Sequence, residues 1–192
     1  DDKGFKKPVP KGKTTNNFAV ELVAQINDMN KGQYLEADLL DASPTGFCIG
    51  VAGYPEKHFE SPNLKADMEV LRTKIKAGAN YIVTQMFYDN KHYFNYVDLC
   101  KKEGFKLPVI PGLKIITTKK HLTSLPRDFF IDIPEDLYKE IMEADDKHVI
   151  DVGVEWASKQ VEELLNAKVP AVHFYILQNS KPVQMLFKKL NL

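Results

Sequence analysis

"FCIGVAGYPEKHFES", residues 47–61, joins a short apolar run to a burst of polar groups: Tyr54, Glu56, Lys57, His58 and Glu60. A run this short, closed by a Pro-containing polar loop, reads as a buried strand. Three more runs share the pattern: YIVTQMF (81–87), LPVIPGL (107–113) and AVHFYIL (171–177). Helical periodicity fills the intervals. Leu64, Met68, Leu71 and Ile75 step by four, three and four residues, and Tyr93, Val97 and Cys100 follow the same rule. Ile150, Val154, Ala157, Val161 and Leu164 extend it through a long helix, and Val183, Leu186, Phe187 and Leu190 make a last short one. Strand, loop and helix in repetition predict right-handed βα units on a parallel sheet. A helix carrying Phe18, Leu22 and Ile26 on one face precedes the first strand, so a further strand is expected ahead of residue 1.

Composition bounds the function. With 44% hydrophobic and 27% charged residues, 192 residues make one ordinary globular domain with a sizeable core. Lys plus Arg and Asp plus Glu both number 26, so there is no overall field to hold nucleic acid or an anionic membrane, and any bound anion must be held by local groups. Cys48 and Cys100 form no metal-ligand or CxxC pattern and read as small buried hydrophobes in a reducing compartment. No apolar run reaches the roughly 20 residues of a membrane span and no signal peptide opens the chain, so the expected location is cytoplasmic. The opening "DDKGFKKPVPKGKTTNN" reads as loop, in a chain that begins within a larger fold.

Four strands are too few for a closed barrel, which leaves half a barrel or a small open sheet. Alternation separates two faces. Val172, Phe174 and Ile176 form a wholly apolar face suited to lie under helices, while His173, Tyr175 and Leu177, and likewise Tyr81, Val83 and Gln85, form a mixed inner face. The inner set of the first strand is Cys48, Gly50, Ala52 and Tyr54, three small residues with a large polar-tipped one at the C-terminal end. That predicts room for a flat ligand at a barrel mouth, where parallel barrels gather their active sites.

The series "VAGYPEKHFES" with the following Ala66-Asp67, then "AGANYIVTQMFYD", "PVIPGL" and "VHFYILQ", strongly resembles the methylenetetrahydrofolate reductases, flavoprotein (β/α)8 TIM barrels of one-carbon and methionine metabolism. The resemblance covers residues 1 to 190 and implies that this chain supplies the second half of the catalytic barrel, strands 5 to 8 with their helices. It implies FAD as bound cofactor, NADH or NADPH as electron donor and methylenetetrahydrofolate as substrate, with neither nucleic acid nor membrane as partner. It further implies a bacterial-type, commonly homo-oligomeric enzyme without the C-terminal regulatory domain of eukaryotic relatives. The family's general-acid glutamate would lie outside the chain.

Carried over residue by residue, the resemblance places Asp1, or Asp2 with a one-residue shift, by the flavin pyrimidine edge and the folate. A carboxylate there disfavours the anionic reduced flavin and stabilises a cationic folate intermediate. Phe18 and Ala19 match an aromatic-Ala pair that contacts FAD, and both also suit the apolar face of a helix. Tyr54 and His58 match positions holding the flavin and its phosphate-bearing chain. Asp67 and Lys74, seven apart on one helix face, match cofactor-contacting positions, with Lys74 as positive charge for a phosphate. Val70 and Thr73 stand where well-known members carry Asn and Arg, which predicts fewer charged contacts to the adenine end.

Gln85 matches the glutamine that bonds the folate ring and helps place nicotinamide, and its amide offers both donors and acceptors. Tyr175 and Leu177 match pocket-lining positions. His121 and Leu125 fall where some relatives have a Gln and a stacking Phe. Asn179 replaces an Arg for the folate glutamyl tail, and Lys181 could supply the charge without the bidentate fork. No Gly-rich Rossmann signature is expected, because in the family nicotinamide and folate alternate on one flavin face. Two other readings stay open: another FAD-dependent barrel oxidoreductase of proline-dehydrogenase-like type, and a non-catalytic flavin-binding fragment. His58, His121 and His173 form no ligand motif, so no metal site is expected.

Overall fold

The computed structural model describes residues 15–36 and 38–192, so Asp1 and Asp2 lie outside the described residues. Four strands, β1 (Gly50–Gly53), β2 (Tyr81–Met86), β3 (Val109–Leu113) and β4 (His173–Phe174), form one parallel sheet in the order β1-β2-β3-β4. Helix α1 (Ala19–Met29) precedes β1. Helices α2 (Leu64–Lys76) and α3 (Asn90–Lys102) follow β1 and β2, α4 (His121–Phe129), α5 (Glu135–Glu143) and α6 (Val149–Asn166) lie between β3 and β4, and α7 (Lys181–Leu190) follows β4.

Local chemistry fixes where these helices start. The Asn63 side chain accepts from Ala66 N (2.9 Å) to cap α2, and Asp89 Oδ1 accepts from Lys91 N (2.9 Å) to cap α3. At α1 the Glu21 carboxylate reaches back to Phe18 N (3.1 Å), satisfying a donor that the first turn leaves open.

Burial follows the expected alternation. Along β1 and β2 every second residue is buried: Val51 and Gly53, then Ile82, Thr84 and Met86. These face the helices, where Ile82, Met68, Leu71, Phe87, Leu113, Val161, Leu164 and Leu186 make the main core. Each such side chain contributes about 1.5–3 kcal/mol by leaving water. Gly50 and Ala52 lie exposed on the other face, which the described residues leave open.

Cys48, expected as a small buried hydrophobe, is exposed, whereas Cys100 is buried. The architecture departs from the sequence reading in three further places. The runs at 47–54 and 171–177 shrink to four and two strand residues. Each lies at an edge and pairs on one side only, so ladder bonds end early. Before β1, Asn80 substitutes for a strand partner: its Oδ1 accepts from Ile49 N (2.8 Å) while its own N–H donates to Ile49 O (2.7 Å). Second, α4 and α5 were not expected; they pack Leu122, Leu125, Leu137 and Ile141 around Met86, Tyr88 and Ile116 in a second core. Third, the space expected over Gly50 is filled, because a Cβ there would collide with the Tyr81 ring. Beyond the end of β1, Tyr54 lines a cleft.

Candidate functional site

Two clefts open at the C-terminal ends of the strands, one beside β1 and one between β3 and β4. The first, about 470 Å³, is walled by Phe18 and Ala19 of α1, Tyr54 and His58 of the loop after β1, and Asp67, Val70, Thr73 and Lys74 of α2. All eight described residues expected to touch a cofactor are thus brought together.

The loop after β1 holds its shape through its own bonds. Lys57 adopts a left-handed backbone (φ 82°), a costly conformation for a non-glycine residue. Its ammonium holds the turn by donating to His58 O (3.0 Å) and Ser61 O (2.6 Å). His58 Nδ1 accepts from Glu60 N (3.3 Å), and the imidazole meets the Tyr54 ring edge-on at 4.5 Å between centroids. Ser61 Oγ donates to Asp67 Oδ1 (3.0 Å), tying the loop to α2.

Lys74 is the chief charge of this cleft. It is only 9% exposed, donates to Ala52 O at 3.3 Å and lies 5.8 Å from the Tyr54 ring centroid. Burial lowers its pKa, and the Asp67 carboxylate opposes that shift. Thr73 Oγ1 donates to Val70 O (2.7 Å), so its hydroxyl serves the helix.

The second cleft, about 570 Å³, is lined by Lys114, Thr117, His121, Tyr175, Leu177 and Asn179 among others. Tyr175 lines it and braces the sheet as well: its phenol donates to Thr84 O (2.8 Å), passing over Gly112. Gly112 is required there, since a Cβ would meet the Thr84 carbonyl and the Tyr175 ring. Gly112 N donates to Thr84 Oγ1 (2.9 Å), completing the link between β2 and β3. Leu177 is 88% exposed at the rim, and Asn179 Oδ1 accepts from Lys181 N (3.0 Å) at the start of α7. Lys181 itself is exposed and does not line the cleft.

Gln85, the last but one residue of β2, lies on the inner face, between the two clefts in strand order. A register shift between Val83 and Met86 frees Met86 N, which donates to Gln85 Oε1 (2.9 Å). The Gln85 NH2 group is left as the available donor. Leu125 behaves differently from expectation: it is 4% exposed and packs in the second core.

Sequence reasoning missed Ser61 and Lys114 as parts of these clefts, and Lys57 as the residue that holds the loop beside the first. The signal for Lys114 was present, because a lysine directly after the buried run PVIPGL stands at a strand's C-terminal end. Glu56, also of the loop after β1, reaches toward the second core: its Oε2 accepts from Asp132 N (2.7 Å), and burial raises its pKa while that bond lowers it. Among the described residues, no cluster of His, Cys, Asp and Glu could hold a metal ion, and no helix is long and apolar enough to cross a membrane.

A parallel α/β sheet with polar clefts at its strand ends defines a protein of the ligand-binding α/β class. Comparison with known proteins makes this specific. The methylenetetrahydrofolate reductase family model matches residues 3–191. Methylenetetrahydrofolate reductase 2 of Saccharomyces cerevisiae is 36% identical over 76% of this chain and 25% of its own length. The 5,10-methylenetetrahydrofolate reductase of Salmonella typhimurium is 30% identical over 86% of this chain and 59% of its own length. A solved Clostridium thermocellum protein, described as binding two copies of 5-methyl-5,6,7,8-tetrahydrofolic acid, gives a TM-score of 0.49 at 19% identity, covering 74% of this chain and 53% of that one. The chain belongs to the methylenetetrahydrofolate reductase family. It spans about a quarter of the length of the yeast relative and 59% of the bacterial one.

Proposed function

We propose that this chain is the C-terminal half of a (β/α)8 barrel, strands 5 to 8, in an FAD-dependent methylenetetrahydrofolate reductase. The observation that carries this reading is the cleft beside β1, which collects Phe18, Ala19, Tyr54, His58, Asp67, Val70, Thr73 and Lys74 at one strand end. Its donor set fits FAD: an almost buried ammonium for a phosphate, aromatic groups for a flat ring, and exposed apolar surface at Phe18 and Val70 that a ring system would cover.

FAD held by Lys74, Tyr54 and His58 would supply hydride transfer from NADH or NADPH to the folate, giving 5-methyltetrahydrofolate. Lys74 neutralises phosphate charge and, held to Ala52 O, is placed before the ligand arrives. Tyr54 and His58 bracket the phosphate-bearing chain, in a loop that Lys57 holds closed. The Gln85 NH2 group, its oxygen already bonded to Met86 N, donates to an acceptor on the pterin edge. Asp1 supplies the carboxylate that stabilises the cationic folate. Methylenetetrahydrofolate and the nicotinamide share the space between the clefts by turns, in a soluble cytoplasmic homo-oligomer.

The test is FAD retention in a Tyr54→Ala/His58→Ala double variant. It should bind FAD at least about tenfold more weakly while keeping its circular dichroism, since two positioned contacts are lost. Unchanged FAD affinity in the folded variant would remove the cofactor assignment.

A further inference from the structure

Two residues with left-handed backbone, Lys57 (φ 82°) in the loop after β1 and Phe130 (φ 55°) at the end of α4, lie on the two sides of one contact. Phe130 N donates to Pro126 O (2.9 Å) and closes the last turn of α4, at a position where helices ordinarily put glycine or asparagine. A bulky residue is strained there, and such strain persists only where the surroundings fix it. The Phe130 ring stands outside both cores and is 54% exposed, so core burial does not explain the choice.

What the ring does touch is the loop after β1. It stacks on Phe59 with centroids 4.9 Å apart and planes 14° from parallel. Phe59 in turn lies 4.8 Å from His58, whose ring meets Tyr54, so four rings run in series from the cleft beside β1 to the end of α4. Two residues further on, Asp132 N donates to Glu56 Oε2 (2.7 Å). Glu56 and Phe59 flank His58, and both are thereby tied to segment 130–132, which follows β3 although β2 lies between the two strands. The Lys57 bonds are made within the loop and fix its shape. Its position is set by contacts that leave the loop: Ser61 to Asp67 of α2 on one side, and Glu56 and Phe59 to segment 130–132 on the other.

The geometry points to segment 130–132 as a latch that sets the loop after β1 against α2, with Phe130 as a positioning residue that acts on the cleft through Phe59 and His58. This rests on the reading of that cleft as the FAD site. Phe130 lines neither cleft. It keeps Tyr54 and His58 where α2 presents Lys74, so that FAD meets these groups together and orders no loop on arrival. The left-handed backbone is what aiming the ring at Phe59 costs the fold. Glycine at this position would make a more stable helix end and a worse latch.

Phe130→Gly separates the latch from a merely structural role. Relief of the left-handed backbone should leave the urea midpoint of the FAD-free protein unchanged or raised. With the stack gone, FAD titration of the intact protein should nonetheless show about threefold to tenfold weaker binding, the effect of one aromatic pair. Amide hydrogen exchange over residues 54–61 in the FAD-free protein should quicken, and Phe130→Tyr, which keeps the ring, should restore both readouts. If the glycine variant does not fold, Phe59→Ala removes the same stack without touching α4 and should reproduce both effects. Unchanged FAD affinity, or an affinity that falls together with the urea midpoint, would overturn the assignment. The reductase reading is judged separately. A wild type that takes up no FAD, with exchange over 54–61 still quickened by Phe130→Gly, would sink that reading and keep the latch, whereas unaltered exchange in that case would sink both.

Discussion

The two clefts differ in how their charges are satisfied. Beside β1 the lysines are held before any ligand arrives: Lys57 bonds to His58 O and Ser61 O, and Lys74 bonds to Ala52 O with Asp67 in support. Between β3 and β4, among the described residues, Lys114 makes neither hydrogen bond nor ion pair, and His121 Nδ1 accepts from Thr117 N. Prebuilt polar groups lower the ordering cost of a ligand that stays, whereas an uncompensated charge favours a ligand that brings the missing charge and can leave again. On the proposed reading the first cleft takes the resident cofactor and the second the exchanging substrate.

Gly112→Ala should disturb both clefts most, because it forces apart the Thr84 carbonyl and the Tyr175 ring that join β2 to the second cleft. A loss of about 3 kcal/mol, in the range of severe core strain, is expected from urea unfolding. An unchanged midpoint would mean the sheet yields there freely.

Leu125→Ala comes next. A residue buried in the second core should cost about 2–3 kcal/mol when truncated, with folate-probe affinity unaltered. Lost affinity with intact stability would instead return Leu125 to the substrate surface, where the family resemblance had put it.

Lys74→Met sharpens the contrast directly. FAD titration followed by flavin fluorescence should show about tenfold weaker binding, and p-aminobenzoylglutamate affinity should not move. Equal losses for both ligands would merge the two clefts into one site.

The smallest effect concerns pH. Lys74 and Lys114 have folded pKa values below the ordinary 10.5, so between each lowered value and 10.5 the unfolded chain binds more protons. Both groups therefore make stability rise with pH through that alkaline window. Lys114→Met should flatten part of the rise in ligand-free protein, as measured by urea midpoints across the window. An identical slope in the variant would mean that Lys114 is solvated like a surface lysine.

The parts legible in the sequence are those where one signal dominated. The runs at 81–87 and 107–113 and the helix periodicities at 64–75 and 150–164 match β2, β3, α2 and α6, because burial on one or both faces writes itself as apolar spacing. Helices α4 and α5 escaped for physical reasons. Pro126 lies inside α4, where a sequence reading expects a helix to break, and α5 buries only Leu137 and Ile141, a single i, i+4 pair too short to show a period. Its start was nonetheless marked by Pro134 followed by Glu135 and Asp136. That Tyr54, His58 and Asp67 come together was anticipated through the family resemblance, since all three sit in its motifs, and Lys74 follows seven residues after Asp67 on the same helix face. Lys114 lies outside any quoted motif, and its lack of a partner among the described residues is a property of three-dimensional placement.

The most direct measurement of the central claim is an anaerobic spectrum of the FAD-loaded protein, taken before and after adding NADH or NADPH and then methylenetetrahydrofolate. Bleaching of the flavin's visible absorbance by the nicotinamide and its return with the folate is the predicted result. A protein that takes up no FAD, or whose reduced flavin is left unchanged by methylenetetrahydrofolate, would contradict it.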